Sequence, residues 1–256
     1  MRRELLASAA SCVAFSGLVS AQSLPNRINA LHDGAVNFHF AARPGICGDG
    51  ARYIQIGHAT FGQFGKGMER ARCDVGPVQV RVMLHDGKVD RIESWAGTLR
   101  TREGSDLGLV SARDASRYLL DIARRADGSA STKAILPAVL ADSSTTWPDL
   151  LAIARDVGTR SHSTRQDAAF WLSRFASAAV SGHRNDLEDD DDSSDDDVKG
   201  HAVFVLSQLP NQEGIGPLLE VARTNKDAHV RSKAMFWLGQ SGDVRALDLF
   251  ESVLRS

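Results

Sequence analysis

The residues able to do chemistry are unevenly spread along this 256-residue chain. Between Asp186 and Asp197 stand nine acidic residues and no basic one. Carboxylate oxygens in such number suit calcium, but the run lacks EF-hand spacing and a glycine at the turn. A solvated, self-repelling loop accounts for it as well, and docking on a basic surface is a third reading. Eight histidines (His32, His39, His58, His85, His162, His183, His201, His229) are scattered, with no H-E-x-x-H, no G-x-S-x-G and no Cys-His pairing around them. His183 and His201 flank the acidic run, and a metal there would need fixed supporting partners. Gly62-Gln63-Phe64-Gly65-Lys66-Gly67 lacks the spacing and the Ser or Thr of a phosphate-binding loop. The residue types therefore supply no catalytic set, no metal-ligand set and no cofactor site.

The elements around these residues begin with a leader. Arg2-Arg3, an apolar run from Leu5 to Leu18 and the small-x-small triplet Val19-Ser20-Ala21 read as a secretory signal peptide over 1–21, cut after Ala21. Cys12 sits too early, and without the preceding leucine, for a lipid anchor. No second apolar run of membrane length follows, so the expectation is a periplasmic or secreted protein with no stable membrane anchor. Cys47 and Cys73 are then the only cysteines left, and an even pair in an oxidising compartment predicts a disulfide. The formal charge of −2 becomes −3 once Arg2, Arg3 and Glu4 are removed, and +6 for the body without its nine clustered acids. A body so mildly basic, with no basic-aromatic stripe, excludes nucleic acid as a partner.

Residues 22–100 read as a small antiparallel β module. Ala35–Ala41, Arg52–Ile56 and Pro77–Leu84 alternate apolar and polar residues. Asp86-Gly87 marks a hairpin turn before Val89–Trp95. Gly57–Gly67 reads as loop and 101–111 as a polar join. From Ala112 the period becomes helical, with Ala115, Tyr118, Leu119 and Ile122 on one stripe. A helix over Thr132–Ala141 follows, in which Pro137 should form the first turn or a kink.

One phrase then recurs. Arg165-x-x-Ala168-x-Phe170-Trp171-Leu172, Lys199-x-x-Ala202-x-Phe204-Val205-Leu206 and Arg231-x-x-Ala234-x-Phe236-Trp237-Leu238 are spaced by 34 and 32 residues, a period of stacked helical repeats. The stripes Ala168-Trp171-Leu172-Phe175, Ala202-Val205-Leu206-Leu209 and Ala234-Trp237-Leu238 should each be buried. Pro148–Arg155 and Pro217–Arg223 match as second helices, and Val244–Leu254 is the last. The fold expected is mainly α, a solenoid of helix pairs over 112–256 that carries the acidic loop 186–197.

Asp227-x-x-Val230-Arg231-x-x-Ala234-x-x-x-Leu238-Gly239 resembles the repeated signature of bacterial short HEAT repeats, and Asp196–Leu206 is similar. The copy at Thr164–Leu172 departs by lacking the Asp and Val. Ala41-Ala42-Arg43-Pro44-Gly45-Ile46-Cys47-Gly48-Asp49-Gly50 also resembles a segment of exported bacterial HEAT proteins. In this pattern Asp227 caps a helix, and Arg165, Lys199 and Arg231 can pair with acids of the next repeat. The resemblance implies a non-catalytic scaffold for another envelope or secreted protein. Arg155 and Arg223, at matching positions of second helices, are the expected contacts. The alternatives are a hydrolase or metal-dependent enzyme with a site between the β module and the array, and a calcium-responsive structural protein.

Overall fold

The computed structural model describes residues 23–57, 59–62, 73–181 and 196–256. The leader, most of the glycine stretch, and 186–195 of the acidic run lie outside the described residues, as do His58 and His183.

After a short helix α1 (Leu24–Asn29) come strands β1 (Gly34–Phe40), β2 (Ile46–Gly48), β3 (Tyr53–Ile56), β4 (Ala59–Gly62), β5 (Asp74–Val75), β6 (Val78–His85), β7 (Lys88–Ala96) and β8 (Ser105–Leu109). They form two four-stranded sheets, in the orders β7-β6-β1-β8 and β4-β3-β2-β5. The alternation in β1 and β6 is register-matched: Val36 lies opposite Val82, Phe38 opposite Val80 and Phe40 opposite Val78, all buried. Asp86 and Gly87 both adopt positive φ, as the two-residue hairpin turn between β6 and β7 requires.

Three expectations need correction. The module is not purely antiparallel, because β8 pairs with β1 in parallel; parallel neighbours need a long crossover, and the rest of the module supplies it. Within 101–111, read as join, Ser105–Leu109 is that strand; it lies at a sheet edge and buries no residue fully, so alternation does not betray it. Within the glycine stretch read as loop, Ala59–Gly62 pairs with β3.

The segment from Ala41 to Gly50 is a fastener. Cys47 on β2 is joined to Cys73 by the expected disulfide. Gly48 packs so closely on β7 that an added Cβ would lie 2.5 Å from the Ala96 carbonyl oxygen. Asp49 accepts hydrogen bonds from the backbone N–H groups of Ala51 and Arg52 and from Arg52 Nε. Arg43 reaches out of the module: its Nε donates to the Val139 carbonyl at 2.8 Å, a terminal nitrogen donates to the Ser144 carbonyl, and the guanidinium lies 5.6 Å from the Phe175 ring centre.

The helices are α2 (Ala112–Arg125), α3 (Gly128–Val139), α4 (Trp147–Arg155), α5 (His162–Ser181), α6 (Asp196–Ser207), α7 (Ile215–Thr224), α8 (Ala228–Ser241) and α9 (Val244–Arg255). Ser111 caps α2 by accepting from Asp114 N–H. Asp227 caps α8 by accepting from His229 N–H, as its pattern predicts. Pro137 falls in the last turn of α3, where the chain is about to leave the helix. The stripe of α2 is buried as read, and Phe38 meets Tyr118 edge-on at 6.4 Å. One hydrophobic core runs without a break from β1 and β6 through α2, α3 and α5 to α8 and α9.

Two findings overturn the expected stacking. α5 packs most extensively on α8, not on the next helix of the chain, and α8 also receives α6, α7 and α9. The spatial row of first helices is therefore α3, α5, α8, α6, out of chain order. The stripe of α6 is also misplaced: Val205 is 48% exposed, Ala202 and (just past the helix) Leu209 are exposed, and among the described positions of α6 the buried ones are Gly200 and Val203. A helix buries the face its neighbours cover, and α6 has α8 on one side. The close approach is visible at Gly200, where an added Cβ would meet the Lys233 side chain at 2.5 Å.

Candidate functional site

The recurring aromatic residues become one row in space. Phe61 on β4 lies 5.4 Å from Trp171 and 6.5 Å from Phe170 of α5, measured between ring centres. Phe170 meets Phe236 of α8 at 6.3 Å, and Phe236 meets Trp237 at 5.2 Å. Trp237 meets Phe204 of α6 at 5.2 Å, and Phe204 meets His201 at 5.9 Å. These separations suit edge-to-face and offset ring pairs, which add to the burial energy of each ring. Trp171 is core, but Phe170, Phe236 and Trp237 are half-buried and Phe204 is 38% exposed. Phe170 and Phe236 therefore hold the row together while leaving area uncovered.

The row ends in a cleft of about 730 Å³ between the β module and the helices. Tyr53, Phe61, Glu93 and Trp95 line one side; Thr132, Lys133, Asp167 and Trp171 line the other. On Trp95 the Arg102 guanidinium stacks at 3.4 Å from the ring centre. Asp167 is set one turn before Trp171 on α5, so its carboxyl faces the same opening. Burial pushes that carboxyl up to about 6, against the opposing pull of Lys133. A carboxylic acid poised in this range exchanges a proton near neutral pH, and it sits where a ligand would meet aromatic faces.

Arg155 and Arg223 have different surroundings. Arg155 bridges α4 to α9, donating to Asp248 at 2.6 Å and pairing with Glu251 at 2.7 Å. Arg255 and then Arg155 hold the Glu251 carboxyl below its usual range. Arg223 is exposed on α7. Of the three repeat cations, Lys199 finds an acid of the neighbouring pair, Asp227 at 3.1 Å. Arg231 instead donates to the carbonyls of Asn225, Lys226 and Val180, and Arg165 to that of Arg160.

The structure also groups residues that sequence reasoning left scattered. His32, Asp33 and Asp86 place one ligand atom each within 4.8 Å of the others, and His85 Nδ1 is 3.2 Å from Asp33. All are exposed, and such groups are common without an ion. The sequence carries no signal for this meeting, since 52 intervening residues must fold before the β6–β7 turn reaches the loop after α1.

Residues 187–256 match the family model for HEAT repeats. No curated protein and no solved structure matches the chain. Among the described residues, no helix is long and apolar enough to cross a membrane.

Proposed function

We propose that this protein is a non-catalytic binding scaffold of the cell envelope, a HEAT-like helical array docked on a β module. Its contact surface is the aromatic row from Phe204 to Phe61 together with the cleft at its end. The carrying observation is the row itself: half-covered Phe and Trp side chains on three helices and a strand, held by mutual packing. Aromatic anchors of this kind dominate protein interfaces because they bury large area at little rotamer entropy. HEAT repeats over 187–256 commonly serve as protein-interaction scaffolds, which supports the same reading. The Cys47–Cys73 disulfide supports export to the periplasm or beyond. The partner is another envelope or secreted protein, with Arg223 as a peripheral contact.

The test is capture from envelope extract. The native chain should retain one stoichiometric partner, and Phe204→Ser with Phe236→Ser should lose it. Arg223→Glu should weaken capture less. Recovery of no partner, or full capture by the doubly substituted chain, would refute the scaffold.

A second reading has one observation in its favour. Asp167, half-buried near Lys133 in an open cleft, has the protonation range of a general acid–base group. A hydrolase would lose turnover with Asp167→Asn while keeping its fold. Unchanged turnover in that variant, or none in the native chain across ester, amide and glycoside substrates, removes this reading.

A further inference from the structure

A second cavity, about 250 Å³, opens farther along α5, toward its C-terminal end. Its walls come from four places in the chain: Arg43 of the fastener, Ser144–Trp147 at the start of α4, Phe175 and Ala179 of α5, and Val253 and Leu254 of α9. One half is apolar, formed by the Trp147 and Phe175 rings and the two aliphatic side chains. The other half is cationic, with no matching anion among the described residues. Arg43 gives its hydrogen bonds to neutral carbonyls, those of Val139 and Ser144. Among the described residues no carboxylate forms an ion pair with it; Asp142 acts only from farther away. Burial disfavours the charged guanidinium, so an anion placed against it would relieve a standing cost.

Two further features point the same way. The cavity lies at the N-terminus of α4, where free N–H groups and the helix dipole favour negative charge. Pro148 leaves fewer such donors, and Asp149 in the first turn is already engaged by Arg124 at 3.1 Å. Thr146 at the cap position is 2% exposed, makes no cap hydrogen bond, and leaves its buried Oγ1 without any partner. A buried hydroxyl in this state calls for an acceptor. The remaining cation at the rim, Arg255 over the Trp147 ring, is paired with Glu251.

We propose that this pocket binds a small carboxylate bearing an apolar group. The carboxylate sits against Arg43 and the start of α4, accepting from Thr146, and the apolar group lies between Trp147, Phe175 and Leu254. A guanidinium fork matches a carboxylate's two oxygens, and the cavity is smaller than the roughly 300–1,000 Å³ of drug-sized sites. The ligand is thus a free amphipathic acid or the last residue of a peptide.

The test is an NMR titration of the full chain with N-acetyl-L-leucine, its carboxamide counterpart and a pentapeptide ending in leucine. N-acetyl-L-leucine should bind with a Kd on the order of 1 mM, as expected for so small a ligand. The carboxamide should bind at least about tenfold more weakly. Equal binding by the pentapeptide and the free acid identifies the small acid as the ligand class, and tighter binding by the peptide identifies a C-terminus. Leu254→Trp fills the apolar half without touching Arg43 or Thr146 and should abolish binding while leaving the circular dichroism spectrum and Tm near native. Thr146→Val should weaken binding severalfold. No saturable shifts for the free acid, equal affinity for acid and carboxamide, or native affinity in a folded Leu254→Trp chain would each overturn the proposal.

Discussion

Helices α5 and α6 carry the same phrase and treat it differently. In α5, Ala168, Trp171 and Leu172 are all buried, with α3, α4, α8 and α9 around them. In α6, Ala202 and Val205 face out, while Gly200 and Val203 meet α8. The Ala-x-Phe-x-Leu phrase is shared by both, so the difference lies in what surrounds each helix. A stripe states what a helix is able to bury, and its neighbours decide how much of it is covered. The uncovered part of α6 is where Phe204 joins the aromatic row, which ties exposure there to the proposed contact surface.

That contrast has measurable consequences. Trp171→Ala should cost about 3–5 kcal/mol in urea unfolding, because a large buried side chain leaves a cavity. Val205→Ala should cost less than about 1 kcal/mol, since half of that side chain is already in water. Comparable losses at the two sites would mean that α6 is as enclosed as α5.

The next effect separates the stapled module from the unstapled helices. Opening the Cys47–Cys73 bond releases a loop closed over 26 residues of separation and should lower stability by about 3 kcal/mol. Hydrogen exchange should rise first in β2, β3 and β5 and leave α8 protected. Uniform deprotection would show that module and helices unfold as one unit.

Asp167, on the half of α5 that faces the cleft, gives a smaller effect with a definite sign. Its carboxyl moves from 3.8 up to about 6, so the folded chain holds a proton that the unfolded chain has released over this window. The neutral acid's contribution is complete below about pH 4 and is lost as pH rises through 6. Asp167→Asn should therefore unfold later than the native chain at pH 7.5, by about 1–2 kcal/mol after allowing for partial solvation, with no such gain at pH 4. A gain that is independent of pH would assign the effect to packing.

The smallest effect concerns the matched arginines. Arg155→Ala removes the bridge from α4 to Asp248 and Glu251 and should cost about 0.5–1 kcal/mol, less at high salt. Arg223→Ala should change stability by less than about 0.5 kcal/mol. Equal losses would give Arg223 a structural role as well.

Local patterns made much of the fold legible. The strands β1, β3, β6 and β7, the hairpin turn at Asp86-Gly87 and the helices after Ala112 stand near where alternation and helical period indicate. The exception is α3, which starts at Gly128, before the expected Thr132, and carries Pro137 in its last turn. The Cys47–Cys73 pair followed from counting thiols. The strands β2, β4, β5 and β8 were hidden, since they are short and their residues do not alternate apolar with polar as clearly as those of β3 do. Of the candidate site, Phe170, Phe204, Phe236 and both tryptophans were visible as a repeat, but read as core. Asp167 gave no signal, because its burial depends on β4 and β7 closing over it.

What the sequence determined by itself was the set of pieces: a β module with a staple, then amphipathic helices with a common phrase. Neighbouring residues suffice for that, because period, capping and turn chemistry act over a few positions. The order in which the helices stack, the choice of α8 over α6 as the partner of α5, and the meeting of Arg43 with the start of α4 were decided only in three dimensions. Those outcomes depend on which faces find each other across the core, and contacts between distant segments are a property of the packed chain and not of any stretch within it.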